Sequence, residues 1–152
     1  MTRVMRSCRR GLVAMAFAAA AAPAWGLEFR SVADNAAVLY DAPSARAKKL
    51  YVVNRGYPVE VVVTVEGWSK VRDATGALAW IESKSLADRR TVMIKVPLAS
   101  IYQSADERAP VVFQAQQSVI LELVEVAADG WLRVKHRDGQ TGYIRANQVW
   151  GA

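Results

Sequence analysis

The sequence predicts an all-β protein built from two copies of one small, strongly bent barrel that follow an N-terminal signal peptide. Three observations carry this prediction: the second half repeats the first, apolar residues alternate with a period of two, and no segment after residue 26 is convincingly helical. About five short strands fall in each copy of roughly 60 residues, a length that favours a small barrel.

The repeat has a nearly constant spacing. The following positions match at 63 residues: Gly67-Trp68 with Gly130-Trp131, Val71 with Val134, Gly76 with Gly139, and Ile81 with Ile144. Upstream, the spacing is 62, as between Tyr40 and Tyr102. One extra residue near Ala127–Asp129, in a predicted loop, accounts for the change. Two copies that share no set of catalytic residues indicate a binding protein, and we expect no enzymatic activity.

Residues 1–26 have the layout of a secretory signal peptide. Four arginines precede an apolar run from Gly11 to Ala22, which is shorter than the ~20 residues that a membrane span needs. Cleavage is expected after Gly26, with Ala24 as the alternative. Arg9-Arg10 leaves the twin-arginine route open beside ordinary secretion. The protein is therefore predicted to be periplasmic or secreted, without a stable membrane span once the signal is removed.

The strongly basic charge of the chain belongs largely to this leader. The sequence has 20 basic and 14 acidic residues, and four of the arginines lie within residues 1–26, so the remainder carries 16 and 14, a net charge of +2. Nucleic-acid binding requires basic groups clustered on one face, and the balance gives no support for it. We expect no nucleic-acid partner.

Few side chains suit catalysis or metal binding. The only cysteine, Cys8, lies in the predicted leader, and the only histidine, His136, lies beside the predicted hairpin Asp138-Gly139. One histidine cannot supply the usual multi-ligand zinc site, and no Cys–His or Ser–His pair is available. Asp and Glu residues are scattered through both copies, and nothing in the sequence singles out two of them as a catalytic pair. We predict no catalytic residues, no metal and no cofactor.

The strands are predicted from alternation and from turn residues. In the first copy they are Leu50–Asn54, Val59–Val65, Trp68–Arg72 and Ala77–Ile81; in the second they are Val111–Gln114, Val119–Val126, Trp131–Lys135 and Gly142–Ile144. A further strand ends each time at the matched tyrosine, Tyr40 or Tyr102. Ser83–Leu86 and Ala146–Val149 are expected to form tight 3₁₀ turns. The predicted domains are 27–89 and 90–152, joined by the short segment Ala87–Thr91, which should pack the barrels together.

The order of these elements resembles bacterial SH3 domains. Leu39-Tyr40-Asp41-Ala42-Pro43, a polar loop, an alternating strand, Gly67-Trp68, and Ala79-Trp80-Ile81 follow the pattern of that family over nearly all of residues 27–152. Tandem copies behind a signal peptide resemble exported bacterial SH3 proteins of the cell envelope. The copies differ in places, since Ala79 stands where the second copy has Gly142, so the two need not bind the same ligand.

The resemblance implies a ligand groove between an aromatic residue at the end of the first strand and a tryptophan that opens the third. The implied binding residues are Tyr40 and Trp68 in the first copy, and Tyr102 and Trp131 in the second. Their alternative role is core filling, and for both tryptophans the two roles are evenly balanced.

Core filling is the expected role of a second aromatic pair, Trp80 and Tyr143, together with Ile81 and Ile144. Trp150 is expected to clamp the C-terminus onto the second barrel.

The resemblance favours a non-catalytic monomer that binds peptidoglycan peptides or another envelope ligand. The alternative is a scaffold that binds another envelope protein, by adding a strand to an exposed barrel edge.

Overall fold

The computed structural model of the protein describes residues 27–152. The predicted signal peptide, and with it Cys8, lies outside the described residues. Two short 3₁₀ turns, Ser83–Ser85 and Ala146–Gln148, are the only helical elements of the described part. Within residues 27–152 no helix has the length and apolar character needed to cross a membrane.

Fourteen strands form two seven-stranded sheets of identical topology. The first sheet contains β1 Glu28–Val32, β2 Ala36–Tyr40, β3 Lys49–Asn54, β4 Pro58–Val65, β5 Trp68–Arg72, β6 Leu78–Glu82 and β7 Leu86–Ala87. The second contains β8 Thr91–Ile94, β9 Leu98–Tyr102, β10 Val111–Gln116, β11 Ile120–Val126, β12 Trp131–Lys135, β13 Thr141–Arg145 and β14 Val149–Trp150. The order in the first is β3-β2-β6-β5-β4-β1-β7, and the second repeats it strand for strand. The all-β prediction, with its two tandem copies, is confirmed.

The repeat is visible in the turns as well as in the strands. In the first copy, Glu66 and Gly67 both have positive φ, 47° and 84°, and join β4 to β5 by a tight hairpin. Asp129 and Gly130 do the same in the second copy, at 58° and 75°. Val65 pairs with Trp68 across two residues, whereas its counterpart Ala127 donates its N–H to the carbonyl of Trp131 across three. The extra residue therefore lies in this loop, as the change of spacing predicts.

Each barrel has its own apolar core. The first is formed by eight buried side chains: Val32, Ala37, Leu39, Val53, Val59, Val71, Ala79 and Ile81. The second is formed by ten: Val92, Ile94, Ala99, Ile101, Ala115, Leu121, Leu132, Val134, Ile144 and Val149. Every strand contributes to its core except β7, whose half-buried Leu86 packs against the first core. The contributions come from one alternating face of each strand, which is how such a short chain buries a core.

The prediction that Trp80 and Tyr143 fill the cores is wrong. Both are half-buried and belong to neither core, whereas the adjacent Ile81 and Ile144 are buried within them. Successive side chains of a strand point to opposite faces, so a residue next to a core isoleucine must lie on the outer face. Trp80 and Tyr143 therefore belong to the outer surface of β6 and β13.

The long valine strand of the first copy also departs from simple alternation. The register between β4 and β5 shifts between Val61 and Val63, which is the mark of a β-bulge. Beyond the bulge, Val63 and Val65 are exposed. The second copy has the same shift, between Leu123 and Glu125. The end of the strand thus extends past the core.

Two strands have no counterpart in the sequence prediction, β1 and β8. In β1 only Val32 belongs to the core, and the residues that share its face, Glu28 and Arg30, are charged. Ser31 lies on the opposite face, where it is buried and donates a hydrogen bond from its hydroxyl to the carbonyl of Arg89 at 2.6 Å. The strand therefore lacks the apolar alternation. In β8 only four residues are available, too few for a period to be recognised.

The segment between the barrels packs closely against both, as its length predicts. The Thr91 hydroxyl donates to the carbonyl of Gly56 at 2.6 Å, and the Arg89 guanidinium pairs with the Glu122 carboxylate. The Arg90 guanidinium lies over the Phe29 ring, 5.6 Å from its centre. These contacts cross from one barrel to the other, so the joint is not a free linker.

Trp150 differs from its expected role. Its backbone pairs with Met93 of the second barrel, but its ring packs edge-to-face on Phe29 of the first, with ring centres 5.1 Å apart. Phe29 lies in β1, the first strand of the first barrel, and Trp150 lies in β14, the last strand of the second. The aromatic pair therefore joins the two barrels instead of clamping the C-terminus onto the second.

Gly142 stands where the second barrel has no space for a side chain. A Cβ there would lie 2.5 Å from Cγ2 of Ile101 and 2.7 Å from the carbonyl oxygen of Tyr102. The matched position of the first barrel holds Ala79, which is buried without such a restriction. We expect Gly142→Ala to lower the free energy of unfolding by about 1–3 kcal/mol through overpacking. Urea unfolding of the variant and of the unchanged protein measures this change in free energy.

The matched change in the first barrel, Ala79→Gly, provides the control. It removes a methyl group and adds backbone freedom, so it should be destabilising by roughly 0.5–1 kcal/mol or somewhat more. A Gly142→Ala protein as stable as the unchanged protein would show that the β9–β13 contact is looser than described.

Candidate functional site

The structure brings each predicted aromatic pair together on the outer surface of its barrel. Tyr40 and Trp68 meet edge-to-face, with ring centres 5.4 Å apart and planes at 88°. Tyr102 and Trp131 meet in the same way at 5.9 Å and 87°. Aromatic rings favour this arrangement, which presents a ring face and a ring edge side by side. The geometry is that of a small aromatic platform, formed twice.

Local structure explains why the rings converge. Tyr40 ends β2 and lies directly opposite Trp80 on β6, while Trp68 begins β5 immediately after the Glu66-Gly67 turn. In β5, Trp68 and Lys70 point to the same face, and Lys70 lies opposite Trp80. These residues therefore share one outer surface of the barrel, which we call the first groove: Tyr40, Trp68, Lys70, Trp80 and Glu82.

Trp80 is the aromatic residue of the first groove that sequence reasoning missed, beside the charged Lys70 and Glu82. It is half-buried, and the Lys70 ammonium lies 6.0 Å from the centre of its ring. The signal was available, because Trp80 alternates with the apolar residues on either side of it, Ala79 and Ile81. Strict alternation places the tryptophan outside.

The equivalent surface of the second barrel, the second groove, is closed by an arginine. Arg145 lies opposite Trp131 in the β12–β13 pairing, and its guanidinium is 4.2 Å from the centre of the indole. The Glu107 carboxylate, at 2.9 Å, and the carbonyl of Asp129, at 3.0 Å, hold the arginine in place. A cation stacked over an indole is favourable and occupies the ring face. Trp131 is only 4% exposed.

The first groove is open in comparison. The position that matches Arg145 is Glu82, which forms an ion pair with Lys84 at 2.7 Å. Among residues 27–152, no cationic side chain lies over the ring of Trp68, which is half-buried. Tyr40, in contrast, is 8% exposed. Within each predicted aromatic pair, the accessible ring is therefore Trp68 in the first groove and the half-buried Tyr102 in the second.

A buried carboxylate, Asp73, stabilises the turn between β5 and β6. Asp73 accepts hydrogen bonds from the Tyr51 hydroxyl at 2.8 Å, from the Thr75 hydroxyl at 2.6 Å, and from the backbone N–H groups of Thr75 and Ala77. Burial alone would raise the pKa of Asp73, but these hydrogen bonds outweigh it and lower the pKa below its ordinary value. Burial, and then the hydrogen bond to Asp73, raise the pKa of Tyr51.

The second copy replaces this pair. His136 stands where the first copy has Asp73, and it packs at 5.7 Å against Phe113, the counterpart of Tyr51. Nδ1 of His136 lies 3.0 Å from Oδ1 of Asp138, at the hairpin tip that the Asp138-Gly139 pair predicts. Within residues 27–152, no cluster of three or more His, Cys, Asp or Glu side chains is arranged to hold a metal ion.

We expect Asp73→Ala to lower the free energy of unfolding at neutral pH by about 1–3 kcal/mol, because it leaves several donors without an acceptor. Since the folded-state pKa of Asp73 is depressed, its ionised form stabilises the fold above the unfolded pKa of about 3.9, and that contribution is lost as the pH falls further. The difference between the variant and the unchanged protein should therefore shrink below about pH 4. Urea unfolding across that pH range measures it.

The matched control is Asp138→Ala, at the exposed hairpin tip of the second barrel. Its effect on stability should be small at every pH. A gap between Asp73→Ala and the unchanged protein that stays constant down to the lowest pH would contradict the assigned role of the carboxylate.

Two stretches of the chain, residues 33–88 and 95–151, match the family described as bacterial SH3 domain. No curated protein matches the sequence. Among solved structures, the chain is similar to NlpC2 and NlpC1 from Trichomonas vaginalis and to an NlpC/P60 family protein from Bacillus cereus.

These three similarities are distant. The identities are 18%, 19% and 17%, and the TM-scores are 0.40, 0.39 and 0.38. The matches cover 84%, 91% and 81% of this chain, but 49%, 51% and 56% of the other chains. This chain therefore spans about half the length of the solved structures that it matches.

Proposed function

The chain belongs to the bacterial SH3 domain family, and we propose that it is a non-catalytic binding protein of the cell envelope whose ligand is a peptidoglycan peptide. The family match also confirms the predicted fold class, two tandem SH3-like barrels. The observation that carries the proposal is the open aromatic pair of the first groove, Tyr40 with Trp68. Flat rings with one polar edge suit extended peptides and sugar rings, because they offer contact area at low entropic cost.

The two grooves are assigned different tasks. Ligand binds in the first groove, where the ring of Trp68 is accessible and Lys70 and Glu82 supply charges of both signs. In the second groove, Arg145 covers Trp131 and leaves Tyr102 as the accessible ring. The second barrel therefore binds weakly by itself, or only after Arg145 moves off the indole.

The location follows from the predicted leader. Residues 1–26 direct export to the periplasm or the medium, with cleavage after Gly26, or after Ala24. The two barrels are assigned to domains 27–89 and 90–152, and the protein acts as a monomer.

A specific observation favours the alternative, a scaffold for another envelope protein. Strands β3 and β10 lie at the ends of their sheets and expose apolar side chains: Leu50, Val52, Val111 and Val112. An unpaired strand edge is a template for a strand from another chain. In this reading the partner is a protein and the grooves play no part.

Co-sedimentation with purified sacculi tests the proposal. Residues 27–152, which contain every described strand, are expected to pellet with sacculi in a saturable manner, with a dissociation constant on the order of tens of micromolar, since a shallow single groove binds weakly. A protein that stays in the supernatant at that concentration would contradict wall binding and favour the scaffold, which crosslinking in the periplasm would then identify.

A further inference from the structure

A cavity lies on the line where the two barrels meet, away from both aromatic grooves. Its volume is about 660 Å³, and it is lined by both barrels and by the joint between them. The first barrel contributes Ser31–Ala33 and Arg55-Gly56; the second contributes Ser118–Ile120 and Lys135–Arg137. This volume is in the range of sites that hold small organic ligands. We call it the seam cavity.

The charged groups of the seam cavity are predominantly cationic. Its lining holds Arg55, Arg89, Lys135 and Arg137 together with His136, against a single carboxylate, Glu122. Glu122 pairs with Arg89 and is therefore occupied. Within residues 27–152, the other three cations form no ion pair.

Comparison of the two copies explains why one of these cations is unpaired. In the first barrel Glu60 and Arg72 lie opposite each other and form an ion pair at 2.6 Å. Glu122 and Lys135 are their counterparts and also lie opposite each other, but Glu122 pairs with Arg89 of the joint instead. Because the Glu122 carboxylate pairs with Arg89, it is not paired with Lys135. The Lys135 ammonium therefore remains available to a ligand in the seam cavity.

The remainder of the lining is uncharged and includes the hydroxyl residues Ser31, Thr91 and Ser118. Val32, Ala87, Val119 and Ile120 provide the apolar part of the wall. A lone inorganic anion would satisfy the cations but leave most of the volume and the apolar wall without a partner. The fitting ligand has an extended, partly apolar body with more than one anionic group.

We propose that the seam cavity binds a short peptide carrying two or more carboxylates, with Arg55 of the first barrel and Lys135 and Arg137 of the second as its anion-binding residues. A stem peptide released from the wall is the candidate source, whereas the intact wall binds at the first groove; in this respect alone the inference rests on the proposed function. Neither barrel forms the site alone, since each supplies only part of the lining. The site is thus a property of the tandem arrangement.

Calorimetric titration with the stem tetrapeptide L-alanyl-γ-D-glutamyl-meso-diaminopimelyl-D-alanine tests this inference on residues 27–152. We expect Arg55→Gln and Lys135→Gln each to weaken binding about three- to tenfold, as loss of one partly exposed charged contact should. Lys95→Gln removes the same charge from an exposed lysine of the second barrel outside the cavity, and binding should be unchanged. The tetrapeptide with its carboxylates amidated should bind more weakly, and salt should weaken binding of the charged form.

The outcomes separate the inference from the proposed function. Equal affinity in Lys135→Gln, Arg55→Gln and Lys95→Gln, or no heat of binding at all, would overturn the seam site, whether or not the protein pellets with sacculi. Inorganic phosphate that competes as well as the peptide would also overturn it, in favour of a simple anion site. Peptide binding that depends on Lys135 in a protein that fails to pellet with sacculi would support the seam site and reject wall binding.

Discussion

Trp131→Ala is expected to lower the free energy of unfolding of the protein by about 3–5 kcal/mol, the usual cost of truncating a buried tryptophan. Trp131 is 4% exposed, packs edge-to-face on Tyr102, and is covered by Arg145. Truncation leaves a cavity beneath the guanidinium and removes its stacking partner. Urea unfolding followed by circular dichroism measures the change.

Trp68→Ala is the matched change in the first barrel. Because Trp68 is half-buried and no cation covers it, the loss of burial should cost roughly 1–2 kcal/mol. The two tryptophans occupy equivalent positions in the repeat, so the difference in stability reports how differently they are enclosed. Equal losses in the two variants would contradict the assignment of an open first groove and a closed second groove.

The effects of the two variants on binding should follow the opposite order to their effects on stability. Trp68→Ala is expected to abolish most of the co-sedimentation with sacculi while the protein stays folded, because it removes the accessible ring of the first groove. Stacking surfaces of this kind commonly dominate the affinity of a small site. The measurement is the pelleted fraction at several protein concentrations, made where denaturation curves show each variant folded.

Two further variants control this experiment. Trp68→Phe retains an aromatic ring and should restore much of the binding. Leu98→Ala removes an exposed apolar side chain of the second barrel and should leave binding unchanged, which tests for non-specific adhesion. If Leu98→Ala and Trp68→Ala reduce pelleting equally, general surface hydrophobicity and not the first groove is responsible.

Much of the fold could be predicted from the sequence because the repeat provides two independent views of each element. Trp68–Arg72 and Trp131–Lys135 were predicted with their exact bounds, and most of the other strands to within one or two residues at each end. Gly139 has the positive φ that the predicted Asp138-Gly139 hairpin requires. These are local features, fixed by turn geometry and side-chain period.

What could not be predicted depends on contacts between distant parts of the chain. The bulge after Val61 turns an apparently regular valine strand outward, and its position depends on pairing with β5. The cover over Trp131 depends on Arg145 lying opposite it and on Glu107, from a distant loop, holding the guanidinium. The sequence shows that Arg145 occupies the position that matches Glu82, but it does not show that Arg145 covers the ring of Trp131.

The short joint predicts that the barrels pack together, but the sequence does not show which residues meet in that contact. A terminal Trp150 is consistent with packing on either barrel, and only the course of the joint brings it onto Phe29. The same joint places Arg89 beside Glu122 and thereby creates the charge imbalance of the seam cavity. Repeats predict each copy well, but they carry no information about how one copy meets the other.

The most direct test of the account is the sacculus-binding isotherm of Trp68→Ala compared with that of the unchanged protein, at equal folded fraction. The account predicts saturable binding for the unchanged protein and near-complete loss for the variant. Binding that is the same in both proteins would contradict the central claim that the first groove is the wall-binding site.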